Sequence, residues 1–281
     1  MHIRGIDVSE FNGKIDWPAV KASGIQFAMI RAGYGKSTEN RDTHFDENMA
    51  GARAAGLDVG AYWFGYAYRT DLAVNEAHAF LEIMEPYKGE VAYPLCYDWE
   101  ADSYRYAQTQ GVTPSRTLIT DMAIAFLNEL QDNNWYAMNY TNQDFYYNKF
   151  QMDRLSAYDV WLAKYGGSTD IVCGIRQTSN QGQINGIGST YVDLDSAYKD
   201  YPAIMKQAGL NGYKKENNTD KDEEANDMLY NTVAEVPQWA RPTIQKLVDK
   251  KYIIGEADGN LALNDTMLRL LVINDRAGLY Q

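Results

Sequence analysis

The 281-residue chain is short of the residues that staple or metallate a fold, with two Cys and three His. Two Cys cannot build a disulfide framework. His2, His44 and His78 are scattered without metal-ligand spacing. No metal or organic cofactor is therefore expected. No apolar run approaches the roughly 20 residues of a membrane span, so no membrane partner is expected either. Basic residues are in deficit, 26 Lys and Arg against 38 Asp and Glu, for a net charge of -12. That balance counts against nucleic acid, whose phosphates demand clustered Lys and Arg, and against an anionic membrane surface. The opening MHIRGIDVSE lacks the basic stretch and apolar core of a secretory signal. The chain is thus expected to be made in the cytoplasm and to leave it by a route not written in its own sequence.

What is present is an ordinary 45% hydrophobic content, enough for a sizeable core, and a large aromatic complement of 22 Tyr and 6 Trp. Tyr and Trp offer flat amphipathic faces that suit sugar rings as well as protein cores.

Up to about residue 210 the chain alternates apolar strand patterns with helical ones. Strands are expected at 3–9, 25–33, 57–67, 91–100, 135–141, 159–166, 172–179 and 189–197. Several are apolar on both faces, as buried parallel strands are. Helices are expected at 16–24, 43–56, 70–85 and 113–134, with a short fifth at 142–150. Eight strands with about five helices point to an α/β fold, an irregular (β/α) barrel that has lost helices in its second half. This catalytic barrel spans 1–211. A charged segment, 212–231, reads as a linker. Residues 232–281 read as a small helical hairpin, with one helix stopping near Gly255 and a second capped by Asn264 or Asp265. At about 50 residues it is small for independent stability, so it is expected to pack on the barrel or on a second copy of the chain.

The strongest chemical signal is Asp98-Trp99-Glu100 at the end of VAYPLCYDWE. Residues two apart on a strand share a face, so both carboxyls project together from the C-terminal end, where barrels of this class carry their sites. Burial of paired carboxylates raises at least one pKa. The result is one proton donor and one anion, the division of labour that glycoside hydrolysis needs. Asp7 ends strand 1 and Asp193 lies in strand 8, neighbours in a closed barrel, so the two could meet across the seam. Asp7 reads equally as an Asx turn into SEFNG, and Asp193 as a cap with Asp195 as its competitor. Tyr62, Phe64 and Tyr66 share one face of strand 3, with Trp63 on the other, and Tyr140 ends strand 5. Cys96 shares the face of Asp98 but lies deeper, and Cys173 sits on the distant strand 7, so both are expected as free thiols.

Six segments occur in order: GIDVSEFNGKIDW (5–17), GAYWFGYA (60–67), PLCYDWE (94–100), YTN (140–142), VWLAKYG (160–166) and VDLDSAY (192–198). Together they resemble glycoside hydrolase family 25, the Chalaropsis-type lysozymes, over roughly residues 3–200. The resemblance implies an irregular eight-stranded β/α barrel. It implies cleavage of the β-1,4 bond between N-acetylmuramic acid and N-acetylglucosamine, with peptidoglycan glycan strands as partner. It puts Glu100 at the general acid/base position and Asp98 where the acetamido group of the sugar is oriented. Asp7 and Asp193 match two further active-site carboxylates, and Tyr62 and Tyr140 match sugar contacts, with Phe64 beside them. The missing signal fits a phage-type endolysin released through a separate membrane pore. A hexosaminidase on chitin-like chains and a silent wall-binding protein are the competing readings.

Where the family commonly has an aromatic-Gln pair on strand 7, this chain has Arg176-Gln177. Arg176 could pair with the site carboxylates or with an acidic peptide stem, or it could point outward. The tail resembles a single S-layer-homology repeat, which implies binding of a cell-wall polymer. The segment 1–211 holds 17 basic and 26 acidic residues, a balance of -9, the linker adds -3 and the tail is neutral.

Overall fold

In the computed structural model, which describes residues 2–215, 229–255, 259–276 and 278–280, eight strands close into a barrel in chain order. They are β1 Ile3–Val8, β2 Phe27–Tyr34, β3 Asp58–Phe64, β4 Leu95–Asp98, β5 Ala137–Asn142, β6 Asp159–Ala163, β7 Ile175–Gly182 and β8 Val192–Ala197. From β1 to β7 each neighbouring pair is parallel. The parallel order ends at β8, which runs antiparallel to both β7 and β1. The link from Gly182 to Val192 is too short for the crossover of a dozen or more residues that a parallel return requires.

Among the described residues six α-helices surround the barrel: α1 Trp17–Ala22, α2 Phe45–Ala54, α3 Thr70–Met84, α4 Ala101–Thr109, α5 Arg116–Asp132 and α6 Tyr201–Ala208. Neither α4 nor α6 was expected from the sequence. Helix α4 buries only Ser103 and Ala107, so it writes almost no apolar stripe. The segment expected as a fifth helix is instead a π-helical turn at Phe145–Lys149. Caps follow the side chains available: Asp16 accepts from Ala19 N (3.1 Å) and Ser115 from Leu118 N (3.2 Å).

Strand alternation sorts two cores. Inward residues such as Phe27, Met29, Tyr62, Cys96, Met138 and Trp161 fill the barrel. Outward ones such as Ile6, Ile30, Trp63 and Tyr97 pack under the helices with Phe80 and Phe126. Gly5 is required by this packing, since a Cβ there would lie 2.3 Å from the Phe27 ring. Strand β4 is held from outside: Tyr97 stacks on Phe126 (4.1 Å) and Trp99 donates from Nε1 to the Ala67 carbonyl (2.9 Å).

The chain divides into two units, Met1–Glu216 and Asn217–Gln281. Most of the segment read as a linker, 216–228, lies outside the described residues. The second unit holds helices α7 Arg241–Asp249 and α8 Asp265–Arg276 around Val236, Ile244, Leu247, Leu268 and Val272. Helix α7 is shorter than the sequence suggests. Pro242 is confined to its first turn, and Lys251 takes a left-handed φ of 60° that ends it before Gly255. No helix among the described residues is long and apolar enough to cross a membrane.

Candidate active site

A cavity of about 350 Å³ opens at the end of the barrel where the parallel strands finish. Every strand contributes a side chain to it, on the strand or just past its end: Asp7, Arg31, Tyr62 with Phe64, Asp98 with Glu100, Tyr140, Trp161, Gln177 and Asp193. Alternation accounts for the set. Cys96, Asp98 and Glu100 face inward while Tyr97 and Trp99 anchor the strand behind them. Because β8 is antiparallel, its beginning lies at the mouth, and Asp193 falls in register opposite Asp7.

The carboxyls crowd one another in a poorly solvated place. Burial, followed by the charges of Asp195 and Asp193, pushes the Asp7 carboxyl well above the usual carboxylate range. Gln177 opposes this by donating Nε2 to Asp7 Oδ2 at 2.8 Å. The amide is oriented by two hydroxyls, Tyr140 (3.2 Å) and Tyr165 (2.9 Å), which both donate to its Oε1. Burial and then the neighbouring Glu100 raise Asp98, against the pull of Arg31. Asp98 Oδ1 is buried and has no hydrogen-bond partner among the described residues. Glu100 is raised by burial and then by Asp193, with Arg105 opposing. Asp193 is raised by burial, partly offset by a hydrogen bond with Asp7. Asp195, deeper in the barrel, is pushed by burial to about 7, although Trp161 Nε1 donates to its Oδ1 at 2.8 Å. In so crowded an array each ionised carboxyl disfavours ionisation of the next.

The aromatic floor is Trp161, met edge-on by Tyr140 (5.1 Å) and Tyr62 (5.8 Å). Arg31 is the cation of the cavity wall. It is held by Asp42 (Nε to Oδ2, 2.8 Å) and Glu10 (Nη2 to Oε1, 2.8 Å), and Phe11 lies over it at 4.7 Å.

Nine positions were candidates from the sequence. The structure brings Asp7, Asp98, Glu100, Asp193, Tyr62, Phe64, Tyr140 and Gln177 to the cavity. It does not bring Arg176. That guanidinium donates to the carbonyls of Lys164 (2.8 Å), Gly166 (2.8 Å) and Gly167 (2.9 Å), on the outside of the sheet. Adjacent strand residues face opposite sides, so an inward Gln177 forces Arg176 outward. Cys96 is buried inside the barrel and Cys173 precedes β7 in a loop; both thiols are free. Among the described residues no group of three or more His, Cys, Asp or Glu is arranged to hold a metal ion.

Sequence reasoning missed Arg31 and Trp161. Arg31 was visible as a lone cation in the apolar run IQFAMIRAG, two residues after inward Met29. Trp161 sits in VWLAKYG, a segment already singled out.

Comparison with known proteins adds the following. The family model for glycosyl hydrolases family 25 matches residues 6–187. Lysozyme M1 of Streptomyces globisporus is 44% identical over 62 residues, which are 22% of this chain and 20% of that protein. The chain thus matches about a fifth of that relative's length. The crystal structure of the CTP1L endolysin aligns with a TM-score of 0.60 at 23% identity, over 74% of this chain and 70% of that one. A family 25 glycosyl hydrolase from Bacillus anthracis aligns with a TM-score of 0.60 at 22% identity, over 75% and 93% respectively.

Proposed function

The chain belongs to glycosyl hydrolases family 25, and from that premise we propose that it is a lysozyme cleaving the β-1,4 bond between N-acetylmuramic acid and N-acetylglucosamine in bacterial peptidoglycan. The observation that carries the reading is Glu100. It lines the cavity beside Asp98, and its carboxyl is raised by burial and by Asp193, which favours the protonated form that a general acid needs.

Glu100 protonates the leaving glycosidic oxygen and later takes a proton from the attacking water. The free Oδ1 of Asp98 is an acceptor for the substrate acetamido N–H, which would turn the acetamido oxygen toward the anomeric carbon. Asp7 and Asp193, opposite one another on β1 and β8, share the negative charge that faces the developing oxocarbenium-like centre. Tyr62, Phe64 and Tyr140 give the sugar its apolar faces, and Gln177 holds Asp7. Arg176 is left out of the substrate set.

Glu100→Gln tests this in a turbidity assay on purified cell walls. The variant is expected to lose about 10²- to 10⁴-fold in rate, the usual contribution of a general acid, with its circular dichroism unchanged. Released muropeptides from the wild type should end in reducing N-acetylmuramic acid. Equal clearing by both proteins, or products that end in N-acetylglucosamine, would overturn the proposal.

The second unit we assign to attachment on a wall polymer. The support is its resemblance to an S-layer-homology repeat, the neutral charge of residues 232–281, and a small apolar core of its own.

A further inference from the structure

Outside the barrel mouth lies a second cavity, of about 490 Å³. Four tyrosines wall it: Tyr34, Tyr66, Tyr68 and Tyr106. Their rings form a chain that starts at the active site. Tyr66 lies 5.2 Å from Phe64, which lines the catalytic cavity, and 6.3 Å from Tyr34. Tyr106 lies 5.1 Å from Tyr66 and 6.3 Å from Tyr68. Tyr34 and Tyr106 are 37% and 40% exposed, so the walls are open to a ligand. The volume falls within the range of small-molecule and peptide sites.

The exposed charge on this cavity's rim is a cation, whereas carboxyls dominate the lining of the mouth. Lys36 lies on its rim, exposed, and makes no ion pair within 4.0 Å among the described residues. The acid of the lining, Glu76, is buried with Oε1 accepting from the Tyr66 amide at 2.8 Å. Burial raises its carboxyl to about 8, so it is uncharged at neutral pH. Lys36 is therefore the exposed cation on the lining of a tyrosine-walled cavity next to an acidic cleft.

The glycan backbone of peptidoglycan is uncharged. Its anionic, alanine-rich part is the peptide stem attached to the lactyl group of each muramic acid. We propose that the second cavity receives this peptide stem, with Lys36 pairing a stem carboxylate and the tyrosine faces covering its methyl and amide groups. The inference rests on the muramidase reading of the adjacent cleft. A stem hanging from a sugar in that cleft reaches the cavity because the two share the Phe64–Tyr66 contact. Arg176, the other candidate for an acidic stem, is spent on backbone carbonyls of the loop that follows β6. Such a site would make the enzyme prefer wall glycan to chitin-like chains, which carry no stem.

The test compares glycan strands bearing uncrosslinked stems with the same strands stripped by an amidase. The full-length wild type is expected to show a kcat/KM about ten-fold higher on stem-bearing strands, the combined scale of one ion pair and one aromatic contact. Lys36→Ala and Tyr106→Ala should each bring that ratio toward one. Added salt should erode the ratio of the wild type but not that of Lys36→Ala. A synthetic stem tetrapeptide, titrated by NMR, should perturb the Tyr66 and Tyr106 amides in the wild type and not in Lys36→Ala. An unchanged ratio in both variants, or equal losses on both substrates, would overturn the proposal and mark the cavity as a sugar subsite. If wild type cleaves neither strand, the muramidase reading fails, and the peptide titration still decides whether the stem binds.

Discussion

Glu76 is a carboxyl that the fold keeps neutral, and replacing it with Gln should change how stability depends on pH. In the unfolded chain Glu76 ionises near 4.5; in the barrel it does so at about 8, because burial raises it and only backbone amides of Tyr66 and Ala67 oppose. Between those values the folded state holds a proton that the unfolded state has released. Stability therefore falls as pH rises through this window and levels off above it. The difference corresponds to about 3 kcal/mol at pH 7 and on the order of 5 kcal/mol above pH 8. Gln has nearly the same shape and can keep the bond to the Tyr66 amide, but it never ionises. Glu76→Gln should thus melt close to wild type at pH 4.5 and higher than wild type as pH rises. At about 2–4 °C per kcal/mol for a unit of this size, the gain at pH 7 is roughly 6–12 °C. Thermal unfolding of both proteins by near-ultraviolet circular dichroism, from pH 4.5 to 9, measures it. Other carboxyls titrate alike in both and cancel in the difference. A melting difference that stays constant with pH, or a variant that is weaker at pH 8, would refute the burial argument.

The proposed general acid, Glu100, should respond to its neighbours in opposite directions. Asp193→Asn removes the charge that helps to hold up Glu100, so the alkaline limb of the residual pH–rate profile should move to lower pH. Arg105→Ala removes an opposing charge and should move that limb slightly higher; shifts of the same sign would sink the assignment of Glu100 as the acid. The segment 1–211 carries -9 and should be repelled by anionic wall polymers, whereas the tail is neutral. Deleting residues 232–281 should weaken wall binding more at low salt than at high salt, and a cosedimentation curve that does not move would argue against attachment through the tail.

Eight strands were legible because buried strands write continuous apolar runs, and alternation then dictated which residues faced inward. Asp98 and Glu100 could be placed together from spacing alone, since Tyr97 and Trp99 between them had to take the other face. Strand direction was not legible. Nothing in VDLDSA distinguishes an antiparallel strand from a parallel one, and only the short link after Gly182 carried that information. Helices α4 and α6 were missed because each is short and buries few residues. Arg31 was missed because a cation inside a barrel is stable only through Asp42 and Glu10, partners that lie on other segments. Arg176 could have been settled from the sequence, because placing Gln177 inside already placed its neighbour outside.

The antiparallel seam also fixes when activity can begin. Strand β1 closes against β8, and the bond that holds Asp7 comes from Gln177, 170 residues later in the chain. Asn12 and Ser189 tie the same rim across 177 residues. Contacts this distant in sequence form late, after the local strand and helix pairs have been made. A ribosome working at about 5–20 residues per second needs on the order of 10–40 seconds to pass from β1 to β8. For the later half of that interval the nascent chain already includes Asp98 and Glu100 but has no closed mouth around them. The cavity comes into being with the last strand, so the chain holds no complete site until its barrel is closed.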